Sequence, residues 1–472
     1  MTSFILIKIH QHRCLNLFRL VFSLSAFILN STSAYAAESY QNLSLSTAIE
    51  IALKNNLEKQ ISLQSAAIAE SQYQQALSAR WPTLTFQAGF QHRDQAPTFT
   101  FPATSMPLPI HLGGGAIPVA EQNVKIMNQN TTTSSLQLLY PLYTGGKITS
   151  IINQANIGKE IAQEEYRRTS LKVVRDVKRY YYAAQLTKEL YFTAKDILSM
   201  LSSTRDFTKG LYEGGSETVN KQDFLRTELA VSYARSVEID FASKHQSALA
   251  ALVNAMGLSW NSQINVDTPL SSKVNQDPEL ENLVQQANQF NPQVSILKLA
   301  VSAANEKIDE ARSGYFPQIA LTADTTHYEN SYDKGLANPT NKDGWTIGVG
   351  ISLPLFNGGL TSNQVNTAKL QSSQMQDKQK LVEQGVATMV KNLFIEYDAA
   401  RQQIAVSEQA SKNAEESVDL TSRALQIGAS KPQDMIEASI LQGIIKGNLL
   451  RARHDQQLQL AEINYVLGAE AQ

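Results

Sequence analysis

The chain carries its own pattern twice, and that repeat limits the folds open to it more than any other feature. Ala52 and Asn56 recur as Ala287 and Asn291, Ser78 as Ser313, and Trp81-Pro82 as Phe316-Pro317, all at an offset of 235 residues. Pro141-Leu142-Tyr143-Thr144-Gly145-Gly146 recurs as Pro354-Leu355-Phe356-Asn357-Gly358-Gly359 at an offset of 213. The lost 22 residues are extra length in one loop of the first half. Tyr181 with Ala183-Ala184 then recurs as Tyr397 with Ala399-Ala400 at 216, and Gly257 as Gly468 at 211. The expected organisation is residues 37–260 as the first repeat, 261–277 as a linker and 278–472 as the second repeat.

Within each half the pattern passes from helix to strand and back. Residues 45–80 contain no Pro or Gly and 147–209 only Gly158, so both read as helix; the counterparts are 278–315, interrupted by Pro292, and 360–427, containing Gly385. Val386, Val390, Leu393, Tyr397, Ala400, Ile404, Ser407, Ser411, Ala414 and Val418 alternate steps of four and three, a coiled-coil seam. The first-half seam keeps Val174, Val177, Tyr181, Ala184, Tyr191 and Leu198 but carries Ser170, Lys188, Lys195 and Ser202, so it is weaker. Helices of this length run about 90 to 100 Å at ~1.5 Å per residue.

Between the helices lie period-two segments. Leu84, Phe86, Ala88 and Phe90 alternate with Thr83, Thr85, Gln87 and Gln91, and Leu136, Leu138 and Tyr140 alternate with Ser135, Gln137 and Leu139. In the second half Ile319, Leu321 and Ala323 alternate with Gln318, Ala320, Thr322 and Asp324. Trp345, Ile347, Val349, Ile351 and Leu353 alternate with Thr346, Gly348, Gly350 and Ser352. Strands of about 9 to 11 residues cross a bilayer when tilted. Trp81, Tyr140, Phe316, Trp345 and Phe356 stand where an interfacial girdle would. A hairpin with one face on a soluble core has the same alternation. Helices too long to fold back over the strands weigh against it. Four strands cannot close a membrane barrel, whose smallest single-chain forms have about 8, so several chains must contribute.

The N-terminus reads as an export signal. Lys8, Arg13 and Arg19 precede an apolar run from Leu20 to Leu29, and Ala34-Tyr35-Ala36 offers a cleavage site before Ala37. Removing residues 1–36 takes the formal charge from -2 to -5 and removes Cys14, the sole cysteine, so the mature chain has no disulfide. Near-balance between 41 basic and 43 acidic residues argues against nucleic acid as a partner. No later apolar run is long enough for a transmembrane helix.

The two-fold repeat, the Trp81-Pro82 and Phe316-Pro317 strand starts, the Pro-Leu-aromatic-x-Gly-Gly strand exits and the glycines at the helix reversals resemble the TolC family of outer-membrane efflux proteins. The resemblance covers nearly all of residues 43–468. It implies a mainly α fold with a small β part, in which three identical subunits of four strands each build one shared twelve-stranded outer-membrane barrel. Long coiled-coil helices continue it as an α-barrel across the periplasm of a Gram-negative bacterium. The implied function is a passive exit duct in multidrug or metal efflux or type I secretion. Its partners are a periplasmic adaptor, an inner-membrane pump of RND or ABC type and outer-membrane lipid, and it needs no cofactor. Trp345, Ile347, Val349, Ile351 and Leu353 would face lipid. The strand–helix junctions would be Pro82, Pro141, Gly145, Gly146, Pro317, Pro354, Gly358 and Gly359. Loops 93–130 and 329–343 would face outside, the first either narrowing the mouth or serving as an unconstrained surface loop.

The periplasmic tips are expected at Gly214-Gly215 and Gly428, where glycine supplies the positive φ of a helix end. Aligning the family's tip glycine on Gly428 puts its two acids at Asp434 and Glu437. Its basic position falls on Ser430, beside Lys431, and its aromatic on Leu425. In the first half Asp223-Phe224-Leu225 matches Asp434-Met435-Ile436 if two residues are inserted after Gly215, which sets Lys221 near the tip. Three-fold symmetry would turn Asp434 and Glu437 into carboxylate rings at the narrow end, so Asp434, Glu437, Asp223, Lys221 and Lys431 are the candidate gate. Gly214, Gly215, Gly428 and Leu425 are the candidate adaptor-docking residues. The other reading of Asp434 is a first-turn acid suiting the helix dipole after Ser430 and Pro432.

Enzyme and metal signatures are absent from the sequence. His92, His111, His245, His327 and His454 have no paired spacing, and Gly146-Lys147, Gly348-Val349-Gly350 and Gly215-Ser216 lack the frames of phosphate loops, dinucleotide sites and nucleophile elbows. Three classes compete on this reading: a transport duct, a periplasmic coiled-coil scaffold without a pore, and a secreted hydrolase.

Overall fold

The computed structural model describes residues 39–40, 42–126, 128–270, 279–329 and 342–469. The expected export signal with Cys14, linker residues 271–277 and most of the 329–343 loop lie outside the described residues. The chain divides into two compact units. One comprises Met1–Asn56, Val177–Leu270 and Ser411–Leu450; the other comprises Leu57–Asp176, Ser271–Ala410 and Arg451–Gln472.

The helices obey the repeat closely. In the first half α1 (Leu45–Asn55) and α2 (Leu57–Ser78) precede the strands, and α3 (Lys147–Glu213) and α4 (Lys221–Ala255) follow them. The second half has α5 (Leu280–Phe290), α6 (Pro292–Arg312), α7 (Leu360–Gln426) and α8 (Pro432–Val466). Both α3 and α7 have 67 residues, and both α4 and α8 have 35.

Residues 45–80 are not the single helix their composition predicts. The chain breaks at Asn56, which has φ -63° and ψ 124°, the geometry of Asn291 at φ -61° and ψ 124°. No Pro or Gly causes the first break; a tertiary bond does. Asn56 Nδ2 donates to the carbonyl of Ala255 at 2.9 Å, as Asn291 Nδ2 donates to Val466 at 2.7 Å. The backbone closes tightly there too: a Cβ on Gly257 would lie 2.6 Å from the Asn55 carbonyl oxygen, and one on Gly468 would collide with that of Phe290. The Asn and Gly positions that mark the repeat are thus two halves of one latch, built once in each unit.

In the unit containing Leu57–Asp176, one core gathers Leu283, Ala287 and Val294 with Val386, Val390 and Tyr397 of α7 and Ile463 and Val466 of α8. The seam of α7 therefore buries its a and d positions as heptad spacing requires. In the other unit α3 and α4 meet through Leu201, Ala230, Val231 and Ala234. There a short parallel pair joins β1 (Ser39–Tyr40) to β8 (Gln263–Ile264). Lys188, an apparent flaw in the first seam, bonds the carbonyl of Val266 at 2.8 Å and Asp267 Oδ1 at 2.5 Å. Gln185 Nε2 donates to the Thr268 carbonyl and Glu189 Oε1 accepts from Leu270 N–H, so residues 266–270 are held along α3.

A four-stranded antiparallel sheet lies within one unit, in the order β10 (Asp343–Ser352), β9 (Gln318–Glu329), β7 (Asn130–Tyr143), β2 (Thr83–His92). The 93–130 segment is not an unconstrained loop. Thr98–Phe101 (β3) pairs with Gln122–Lys125 (β6), and Thr104–Pro107 (β4) with Ala116–Val119 (β5), which makes it a hairpin extension. The turn at its end is taken by Gly113, Gly114 and Gly115, all at positive φ.

Candidate functional site

The register of the sheet sorts its side chains into two faces, because directly opposed residues of an antiparallel pair point the same way. One row across all four strands is Trp345, Thr325, Leu136 and Phe86; the next is Ile347, Ala323, Leu138 and Leu84. Val349, Leu321 and Tyr140 continue that face, then Ile351 and Ile319. No charged residue occurs in these rows. The opposite face holds Thr346, Asp324, Gln137 and Thr85, then Gly348, Thr322, Leu139 and Thr83. The apolar face is uncovered: Trp345 is 77% exposed, Ile347 62%, Val349 61% and Ile351 69%, with Leu353 just past the strand also exposed. Burying one such side chain is worth about 1.5 to 3 kcal/mol, so a face that exposes Leu84, Phe86 and Leu136 beside them requires an apolar medium. A polar lumen face backing an apolar outer face is the pattern of a transmembrane barrel wall. Among the described residues no helix is long and apolar enough to cross a membrane.

The junctions between strands and long helices repeat in detail. Gly145 and Gly146 have φ 64° and 89°, and Gly358 and Gly359 have φ 65° and 82°. Two consecutive left-handed residues turn the chain from strand into helix, and glycine adopts that conformation without a Cβ penalty. Pro141 sits at a bulge between Pro141 and Tyr143, while Pro354 lies two residues beyond Ser352, the last residue of β10. Pro82 and Pro317 immediately precede β2 and β9, where a missing N–H costs no ladder bond.

The helix reversals both lie in the unit containing Val177–Leu270. Gly215 (φ 73°) and Gly428 (φ 74°) end α3 and α7 in the same way. Ser216 N–H bonds the Leu211 carbonyl at 3.0 Å, and Ala429 N–H bonds that of Ala424 at 2.8 Å, the six-to-one bond of a Schellman motif. The first reversal is two residues longer, since α3 and α7 start 213 apart while α4 and α8 start 211 apart. Both acids at the new helix starts hold backbone. Asp223 accepts from Asn220 N–H at 3.1 Å in a capping box, and Asp434 Oδ2 accepts from Lys431 N–H and Ser430 Oγ, each at 2.9 Å. The Lys431 amide, then the Ser430 hydroxyl, keep the Asp434 carboxyl below its ordinary range. Lys221 and Lys431 are exposed, as are Gly214, Gly215 and Gly428.

Leu425 stands apart from the expected docking set. It is buried with Val418 and Met435. It closes the core of its reversal and offers no surface to a partner. Its first-half counterpart is Tyr212, whose ring stacks on Phe224 at 6.0 Å. The residue types alone did not pair these two. Sequence also missed a bridge between the reversals, in which Arg226 donates to Gln433 Oε1 and Gln433 Nε2 donates to Glu437 Oε1 at 2.8 Å. Arg226 and Glu437 occupy corresponding positions in the two repeats, so the polar bridge links chemically opposite partners. Among the described residues no cluster of metal-ligating side chains occurs.

An apolar-faced sheet of four strands joined to long helices defines the class, an outer-membrane protein. The family model for the outer membrane efflux protein matches residues 48–258 and 283–469, one block in each repeat, and the chain belongs to that family. It is an outer-membrane protein of the TolC family. The outer membrane protein TolC of Salmonella enteritidis is 22% identical over 357 residues, spanning 72% of this chain and 70% of the relative. The solvent efflux pump outer membrane protein SrpC of Pseudomonas putida is 25% identical over 346 residues, spanning 71% and 66%. Among solved structures, CusC superposes with a TM-score of 0.73 at 17% identity over 94% of this chain and 96% of that one. The open state of the Neisseria gonorrhoeae MtrE channel gives 0.71 at 19% identity over 93% and 94%. Family members are channels, not enzymes.

Proposed function

We propose that this chain is the outer-membrane exit duct of a tripartite efflux or type I secretion system. Three copies share one twelve-stranded barrel, and the helices carry the duct inward to a periplasmic adaptor and an inner-membrane pump. The observation that carries this reading is the sheet: one face apolar and uncovered, the other polar, and both edge strands, β2 and β10, without a neighbour within the described chain. A long exposed edge is a pairing template, and closure of several sheets into a barrel removes it. A pore-less periplasmic scaffold would leave this apolar face in water. The duct itself is passive, and the free energy for export comes from the pump.

On the same reading the reversals form the inner mouth. Asp434 and Glu437, with Asp223, Lys221 and Lys431 nearby, set the charge there, and the exposed glycine turns offer the docking surface. Ion selectivity follows from rings of side-chain charge. The protein extracted in detergent should migrate as a heat-sensitive trimer and conduct ions in a planar bilayer. A monomer that stays in solution without detergent and never conducts would refute the duct.

A further inference from the structure

One charge lies inside the wall of the sheet, and no contact within the fold accounts for it. Among the described residues of the four strands the polar face carries hydroxyls, amides and glycines and a single acid, Asp324. It is the seventh of the twelve residues of β9, and it sits between the rows led by Trp345 and Ile347 on the apolar face. The other acids of the strands, Glu329 and Asp343, stand at strand ends beside His327, at 3.5 and 2.5 Å. Asp324 has no hydrogen-bond or ion-pair partner among the described residues.

A structural role does not explain this residue. Aspartate is disfavoured in strands, and a mid-strand position caps nothing. The internal repeat supplies the comparison: Gly89, 235 residues earlier, pairs with Thr133 as Asp324 pairs with Thr346. The first hairpin thus closes with no side chain at the equivalent position. A charge within a membrane wall is costly unless it faces a water-filled cavity, and such residues mark the path of what is transported.

The register gives Asp324 that exposure. Directly opposite on β10 is Thr346, and the neighbours of Thr346 on the same face are Gly344 and Gly348. A Cβ added to Gly344 would meet nothing within 4 Å, so β10 leaves the carboxylate uncovered. On the β7 side Asp324 faces Gln137, which is neutral. No base on this face of the described strands cancels its field.

We infer that Asp324 is a specificity-determining residue of the duct, an unpaired carboxylate on the lumen side of the wall that favours cationic solutes over anionic ones. Lumen substitutions in membrane barrels tune selectivity in this way. A unit charge acting across about 10 Å of water shifts the local concentration of a monovalent ion about two-fold. The shift needs dilute salt, because the screening length is about 30 Å at 0.01 M but only about 3 Å at 1 M. This charge is separate from those of Asp434 and Glu437, which belong to the other compact unit.

The inference rests on the proposed duct, and its test separates the two. Thr346→Cys, in a Cys14→Ser background, places a thiol opposite Asp324 at a Cα separation of about 4.5 to 5.5 Å. In the reconstituted protein that thiol is modified by a cationic and by an anionic water-soluble thiosulfonate, with and without Asp324→Asn. Taking the ratio of the two rates cancels any change in the ionisation of the thiol itself. In dilute salt Asp324→Asn should lower the cationic-to-anionic ratio by about two-fold or more, Asp324→Glu should keep it, and 1 M salt should abolish the difference. The potassium-to-chloride permeability ratio in planar bilayers should fall with it. A conducting channel whose rate ratio at position 346 is unaltered by Asp324→Asn, or in which neither reagent reaches that thiol, would overturn the inference and leave the duct standing. A chain that never conducts would remove both.

Discussion

Asn291→Ala should be among the costliest polar substitutions in the chain, and its size can be worked from three hydrogen bonds. Asn291 is buried, its Oδ1 accepts from the N–H groups of Gln293 and Val294 at 2.8 and 3.2 Å, and its Nδ2 donates to Val466 at 2.7 Å. Loss of the cap costs about 1 kcal/mol. The stranded carbonyl of Val466 adds about 1 to 3 kcal/mol, giving about 2 to 4 kcal/mol in all. Asn220 isolates the first contribution, since it caps α4 by accepting from the N–H groups of Gln222 and Asp223 but is exposed. Asn220→Ala should cost only about 1 kcal/mol. Urea unfolding in detergent, followed by far-ultraviolet circular dichroism, should place the Asn291→Ala midpoint clearly below that of Asn220→Ala. Equal midpoints would refute the latch as the element that ties α5 and α6 to the end of α8.

At the α8 start, Asp434→Asn keeps an oxygen for the Lys431 amide and removes the charge. With Glu437→Gln it should lower cation preference in bilayers while the helix content stays constant, whereas unchanged selectivity would take both residues out of the pore. Because the folded carboxyl of Asp434 titrates below its usual value of 3.8, its contribution to the α8 start is present at higher pH and is lost as pH falls through the lowered value. Hydrogen exchange at the Lys431 amide should accelerate only in that acid range. His245 behaves oppositely in charge but not in sign: burial, aided by Lys188, lowers its pKa from 6.5 although the Ala184 carbonyl opposes the shift. Below 6.5 the unfolded chain takes up a proton the folded one refuses, so stability declines as pH falls, and His245→Gln should flatten that slope between pH 7 and 5. Gly145→Ala should destabilise by more than Gly146→Ala. Both pay about 1 to 2 kcal/mol for a left-handed alanine, but only the first also meets Phe316 and Ser313. Equal thermal stability of the two variants would contradict that contact.

Much of this fold could be read without coordinates because its signals are periodic. The alternation at 83–91 and 345–352 survives as strands with uncovered apolar faces, and Gly145-Gly146 and Gly358-Gly359 mark left-handed turns. What escaped was set by contacts distant in sequence. The break at Asn56 is made by Ala255, some two hundred residues away, and composition alone gives a continuous helix. Lys188 looked like a defect in a seam because its partners, Val266 and Asp267, lie in a segment with no periodic pattern. Alignment to a motif makes Leu425 a docking candidate, whereas it packs in a buried cluster with Met435 across the reversal. The extension at 98–125 forms two pairs of four-residue strands, too short for alternation to announce them.

The central claim is that lipid lies against one face of the sheet, and β10 tests it residue by residue. Single cysteines at positions 345 to 353 can be labelled with an environment-sensitive fluorophore after reconstitution, and quenching by brominated acyl chains measured at each. The account predicts strong quenching at Trp345, Ile347, Val349 and Ile351 and little at Thr346, Gly348, Gly350 and Ser352. Quenching that is uniform along the strand, or absent throughout, would contradict it.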